Sequence, residues 1–177
     1  METTILKQSD LITSLPSTMY EWRTDKYRMG APVLLDTPDR QYRYRSLYGY
    51  GPDTIRGINA RKNTRDLAGC PVYSDHIIID CDTQGEATTV EARLTELEIN
   101  FELWLTGNRG CHFHIAIDPM FGTHVIWSQV CWLKSIGIWD TIDTSIYREG
   151  GQIRVAGAIH EKTGKPKEMI RGADNDS

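Results

Sequence analysis

The sequence predicts an α/β fold of the α+β kind, and three features predict it. Residues 72–82, VYSDHIIIDCD, read as a strand, because Ile77, Ile78 and Ile79 form a β-branched apolar run closed by acids. Residues 87–99 place Val90, Leu94 and Leu97 at helical spacing with charged residues between them, which describes an amphipathic helix on a sheet. Two more strands (101–105 and 112–117), a second helix (123–136) and a short strand around 153–156 follow. The order strand, helix, strand, strand, helix, strand matches a split βαβ layout.

The other elements are read in chain order. Residues 1–22 form a short helix broken near Pro16, followed by a polar connection. Residues 32–35 form a strand ahead of the Thr37-Pro38-Asp39 turn signal. Gly49, Gly51, Pro52 and Gly57 interrupt the next segment, so strands and loops are expected there, with no long helix. Thr83-Gln84-Gly85 is a turn, residues 107–110 a tight loop, and Asp118-Pro119 ends the strand begun at 112. From Asp140 onward the chain is a Gly-rich mixture of short strands and loops. Residues 172–177 read as a disordered tail. No internal repeat or low-complexity region is present.

A chain of 177 residues suits one domain with a real core, here residues 1–177 taken together. Hydrophobic residues at 40% and charged residues at 25% are ordinary for a soluble globular protein. No run approaches membrane-spanning length, and the N-terminus lacks the layout of a signal peptide, so a cytoplasmic location without membrane partners is expected. Cys70, Cys81, Cys111 and Cys131 are scattered without a Cys-x-x-Cys pair. Reduced thiols and no zinc site follow as expectations.

The net charge of −4 argues on average against nucleic acid, but the charge is unevenly spread. Arg40, Arg43, Arg45, Arg56, Arg61, Lys62 and Arg65 are interleaved with Tyr42, Tyr44, Tyr48 and Tyr50, and only Asp53 opposes them. Cations on phosphates and aromatic faces on bases would suit a single-stranded track. A solvated loop with its tyrosines tucked onto a core fits the same residues equally well.

Asp80 and Asp82 share one face of their strand while Cys81 points the other way. Two like charges so close call for a cation, and carboxylates suit magnesium or manganese. In Thr106-Gly107-Asn108-Arg109-Gly110 the glycines let backbone N–H groups approach a ligand, and Arg109 adds positive charge. An ordinary hairpin turn would also use those glycines. His112 and His114 then lie on one strand face, His112 nearer the loop and so the better candidate for a phosphate, His114 more structural. Further on, Asp143 stands between apolar positions near a predicted strand edge. Arg154 sits centrally in an apolar strand and needs an anionic partner, either a ligand phosphate or Asp143. His160 and Lys162 alternate and so face one side.

The ordered set IIIDCD, TGNRGCHFHI and IDTSIY…IRVAGAIHEKTG resembles the three motifs of the archaeo-eukaryotic primase superfamily, in the style of phage and plasmid prim-pol enzymes. The resemblance covers residues 72–165 as the motif-bearing core. Residues 1–71 correspond only loosely to the family's variable N-terminal unit. It implies a primase-type catalytic core in which an RRM-like split βαβ unit is joined to an N-terminal α/β unit. Asp80, Asp82 and Asp143 become the ligands of two magnesium or manganese ions. His112, Arg154 and His160 become triphosphate contacts, with Asn108, Arg109 and Lys162 beside them. One departure stands out: many members carry Ser two residues before the histidine, where this chain has Gly110.

The implied activity is template-directed nucleotidyl transfer from (d)NTPs on single-stranded DNA, as a DNA primase, a DNA polymerase or both. Arg43, Arg45 and Arg61 are the candidate template contacts, and a replicative helicase domain or protein is the expected partner. Two alternatives from other classes remain at this stage: a catalytically silent nucleotide- or DNA-binding replication module, and a metal-dependent phosphodiesterase or nuclease.

Overall fold

The computed structural model describes residues 19–24, 32–34, 42–61 and 67–172. The expected helix up to residue 18, the turn at 37–39, Arg40, Lys62, Arg65 and residues 173–177 of the expected tail lie outside them. The described elements are β1 (Tyr20–Thr24), β2 (Pro32–Leu34), β3 (Tyr44–Ser46), β4 (Gly49–Tyr50), α1 (Pro52–Arg61) and β5 (Val72–Cys81). They continue with α2 (Gln84–Glu96), β6 (Glu102–Leu105), β7 (Cys111–Gly122) and α3 (Val125–Ser135), then 3₁₀ turns at Trp139–Thr141 and Thr144–Ile146, and finally β8 (Gln152–Arg154) and β9 (Glu168–Arg171). No described helix is long and apolar enough to cross a membrane.

The strands run β8-β3-β1-β4-β5-β7-β6-β9, with β2 beside β1, in an antiparallel sheet. The segment β5-α2-β6-β7-α3 is the expected split βαβ unit, with β7 between β5 and β6. Its last strand differs from that layout. β8 does not return to the edge of β5, where β4 sits instead, but pairs with β3 through Tyr44↔Arg154. Strand β8 therefore stitches the motif-bearing unit to the N-terminal one.

Alternation along β5 decides what lies on each side of the sheet. Ile77, Ile79 and Cys81 face the helices and join Val90, Leu94, Phe113, Ile115 and Leu133 in the main core. Each fully buried side chain of this size contributes about 1.5–3 kcal/mol. Phe101 packs edge-on against Phe113, their ring centroids 5.3 Å apart. Asp80 lies on the other face, opposite His112, as Ile78 lies opposite His114.

Four expectations change, and the tyrosine-rich segment takes one of its two expected forms. Residues 20–22 belong to a strand, where a polar connection after the helix broken near Pro16 is expected. Residues 52–61 form a helix, because Pro52 at a first helical position loses no hydrogen bond and Ile55 is buried. Helix α2 starts at Gln84, not 87: Thr83 and Glu86 form a reciprocal capping box, so the presumed turn is a helix cap. Strand β7 runs through Pro119 to Gly122, and the proline is tolerated because the β5–β7 register slips there, between Ser74 and His76. Finally, Tyr44, Tyr48 and Tyr50 are buried. Tyr48 donates to Gln129 Oε1 at 3.0 Å and Tyr50 to the carbonyl of Glu149, so these rings serve the core and are not exposed stacking platforms.

Candidate active site

The end of β5 gathers acids. Asp80 is the last outward residue of the strand and Asp82 lies just beyond it. The backbone N–H of Asp143 donates to the Asp80 carbonyl at 2.9 Å, which brings the third acid alongside. Asp143 is not at a strand edge: it caps a 3₁₀ turn, its carboxylate accepting from Ser145 N at 2.8 Å and Ser145 Oγ at 3.0 Å. Glu86 is a fourth acid that sequence reasoning passed over, its carboxylate accepting the N–H of Asp82 at 2.7 Å and of Thr83 at 3.0 Å.

Desolvation, then repulsion from Asp80, Asp143 and Glu86, raises the Asp82 carboxyl above the usual carboxylate range, and His112 opposes the shift. This donor set of hard oxygens with mutual repulsion fits a divalent cation in kind. In arrangement it is not yet a ligand cage: among the described residues no three His, Cys, Asp or Glu side chains stand ready to hold an ion.

The loop after β6 explains Gly110. Thr106 closes the turn with both its N–H (3.1 Å) and its hydroxyl (2.9 Å) on the Gly110 carbonyl. A Cβ at Gly110 would lie 2.3 Å from the Cys81 carbonyl oxygen. The serine of the resembled motif therefore has no room here, and the backbone of β5 occupies its place. Gly107, at φ +82°, is pressed on the segment after β8, where a Cβ would meet the Lys165 carbonyl at 2.5 Å. Thr163 donates its hydroxyl to the Gly107 carbonyl across the same contact.

His112 is buried, with Nε2 3.4 Å from Asp80 Oδ1 and Nδ1 2.8 Å from Lys167 Nζ. Burial lowers its pKa, the hydrogen bond to Asp80 resists, and the Lys167 charge adds to the lowering. His114 stacks between His112 and Trp104, and burial with the Lys167 charge pushes it down to about 2. Lys167 was absent from the sequence reading, and burial lowers its ammonium to about 7.

Arg154 donates to the Tyr44 hydroxyl at 2.9 Å and the Ile159 carbonyl at 3.1 Å, with its guanidinium 5.1 Å over the Tyr44 ring. Its described partners are neutral, so Asp143 is not the anion the sequence suggested. His160 and Lys162 do not alternate on a strand. Residues 160–165 turn back on themselves, His160 N bonding the Lys165 carbonyl and Lys162 N the His160 ring.

A cleft of about 190 Å³ is lined by Asp80, Asp82, Asn108, His112, Arg154 and His160, together with Tyr44, Thr106 and Gln152. Six of the nominated residues thus meet in one place. Asp143 stands beside Asp80 outside that lining, while Arg109 and Lys162 are exposed and do not line it. Of the proposed template contacts, Arg43 is paired at 2.7 Å with Glu161. Arg45 turns into a neighbouring cavity of about 350 Å³, which shares Ile153 and Arg154 with the cleft. Arg61 ends α1, and its side chain is outside what the structure describes.

No protein-family model matches the chain, and no curated protein matches it by sequence. Among solved structures it is similar to the AEP domain of the cyanophage S-2L primase-polymerase. That similarity has a TM-score of 0.56 at 14% identity, over 94% of this chain and 87% of that one. The fold is a mixed α/β core of the kind seen in that domain. It sets the acids at the end of β5 against basic groups carried by β7, β8 and the turn after β8.

The residues missed by sequence differ in how visible they were. The Thr-x-x-Glu box containing Glu86 was readable. Tyr44 and Lys167 acquire their neighbours only through pairings distant in sequence, Tyr44↔Arg154 in the sheet and Lys167–His112 in the core.

Proposed function

We propose that this chain is a metal-dependent nucleotidyltransferase of the primase-polymerase kind, joining nucleotides on a single-stranded DNA template. One observation carries the reading: a single cleft unites Asp80 and Asp82 with His112, Arg154, His160 and Asn108. The shared fold with a cyanophage primase-polymerase domain supports it.

Asp80, Asp82 and Asp143 would hold two magnesium or manganese ions, which when bound activate a 3′-hydroxyl and stabilise the pyrophosphate leaving group. The chain's own residues do the rest. Arg154, already fixed by Tyr44 and the Ile159 carbonyl, presents its charge to the triphosphate without reorganising. His160 and Asn108 line the same cleft and add donors for phosphate oxygens. His112, neutral and buried, lies between the acids and the basic wall, where it donates to a phosphate oxygen. No side chain serves as a covalent nucleophile.

The test is nucleotide incorporation on primed and unprimed single-stranded DNA with magnesium or manganese, beside the double variant Asp80→Ala, Asp82→Ala. Product from the parent that the variant fails to make supports the reading, and product without primer specifies a primase. Template shortening would replace it with a nuclease. Nucleotide binding without any product would replace it with a silent replication module.

A further inference from the structure

Lys167 is 2% exposed, and its ammonium lies in the wall behind the cleft. Its backbone is locked to the segment after β8, the N–H donating to the Ala158 carbonyl at 3.0 Å and the carbonyl accepting from Gly157 at 2.8 Å. From there the side chain reaches three acceptors: His112 Nδ1 at 2.8 Å, the Arg154 carbonyl at 3.0 Å and His114 Nε2 at 3.4 Å. The Trp104 ring covers it at 5.4 Å.

An ammonium has three protons to donate and nothing to accept with. Three acceptors therefore satisfy it, on the condition that His112 Nδ1 and His114 Nε2 both carry lone pairs. An imidazole with a bare Nδ1 carries its proton on Nε2, and Nε2 of His112 is the atom 3.4 Å from Asp80 Oδ1 at the cleft. While Lys167 is protonated, a proton on His112 Nδ1 would instead set two donors against each other at 2.8 Å.

We infer that Lys167 is a positioning residue that fixes the tautomer of His112, so that its Nε2–H points into the cleft as a hydrogen-bond donor. That the acceptor there is a nucleotide phosphate rests on the reading above. The charged and titratable groups facing His112 agree with this assignment. Lys167 Nζ faces Nδ1 at 2.8 Å and Asp80 Oδ1 faces Nε2 at 3.4 Å, so the donor stands at Nδ1 and the acceptor at Nε2. His114, with its pKa near 2, is a neutral acceptor for the same ammonium. The chain thereby obtains a neutral donor beside Asp80, where an imidazolium would compete with a cation for the carboxylate.

The experiment is ¹⁵N NMR of the histidine rings in the nucleotide-free protein at pH 6, where Lys167 is protonated, for the parent and Lys167→Met. The expected parent spectrum has His112 as the Nε2–H tautomer, with Nδ1 a hydrogen-bonded acceptor. In Lys167→Met that single tautomer gives way to a mixture, and the nucleotide KM rises about tenfold, the worth of one charge-assisted hydrogen bond, with kcat less affected. A parent His112 protonated on Nδ1 overturns the inference even if the variant does not fold, as does an unchanged tautomer in Lys167→Met. Because the spectra need no nucleotide, a chain with this tautomer but no synthesis would sink the functional reading and leave the Lys167 assignment standing.

Discussion

On one side of the cleft, Asp80, Asp82 and Asp143 stand at the ends of a strand and a turn, partly open to water, repelling one another. On the other side, Arg154 and Lys167 are buried and held by neutral groups, Arg154 by the Tyr44 hydroxyl and the Ile159 carbonyl, Lys167 by the Arg154 carbonyl and the rings of His112 and His114. The acidic wall is held against its own repulsion. The basic wall is complete in itself and comes ready oriented for anions. The two walls separate their costs: repulsion is kept among the acids, and desolvation is met where the sheet provides acceptors.

That contrast predicts opposite responses to substitution. The largest effect is expected on the acidic wall: Asp80→Asn with Asp82→Asn should cut incorporation on the order of 10³-fold. The melting temperature should stay equal or rise, because like charges have been removed. A variant that loses activity by unfolding would show that the acids hold the fold. Arg154→Ala should act on both measures, with incorporation down about 100-fold and stability down about 1–3 kcal/mol as Tyr44 and the Ile159 carbonyl lose their donor. An unchanged melting temperature would mean that the basic wall is not self-supporting.

Between the walls, Gly110→Ser should destabilise by about 1–3 kcal/mol, since its Cβ meets the β5 backbone and the neighbour cannot swing away. Improved activity at equal stability would restore the serine of the resembled motif and refute the steric account. The smallest effect concerns pH. Lys167 has its pKa lowered from 10.5 to about 7, so above pH 7 the unfolded chain holds a proton that the folded chain has released. Stability should therefore rise with pH, by about 1 kcal/mol between pH 7 and pH 8. The rise should cease near pH 10, where the buried hydroxyls of Tyr48 and Tyr50, whose pKa values burial raises, begin to favour the unfolded state. Lys167→Met should flatten the rise, measurable by denaturant titration at each pH.

The same contrast explains what could be read from sequence. Two of the three acids are local: alternation along a β-branched run places Asp80, and two residues later Asp82, whereas Asp143 joins them through its N–H on the Asp80 carbonyl. His112 follows from the glycine loop and the strand after it. The basic wall is non-local. Arg154 was visible as a charge in an apolar strand, but its phenol partner, Tyr44, comes from a strand 110 residues away. Lys167 sits near Lys162 and Lys165 in a run that looks solvated, yet it alone of the three is buried. Helix α1 was hidden by Pro52 and Gly57, which act as breakers inside a helix, although proline is welcome at its start.

Whether the two walls close on a metal-bound triphosphate, as proposed, is best decided by thermal denaturation. Manganese alone, a deoxynucleoside triphosphate alone and both together should be compared in the parent and in the Asp80→Asn, Asp82→Asn variant. Both together should stabilise the parent by about 2.7 kcal/mol at a hundredfold excess over Kd, and by more than the sum of the separate shifts. The variant should lose that surplus while keeping whatever the triphosphate gives on the basic wall. Simple additivity in the parent, or an undiminished surplus in the variant, would contradict it.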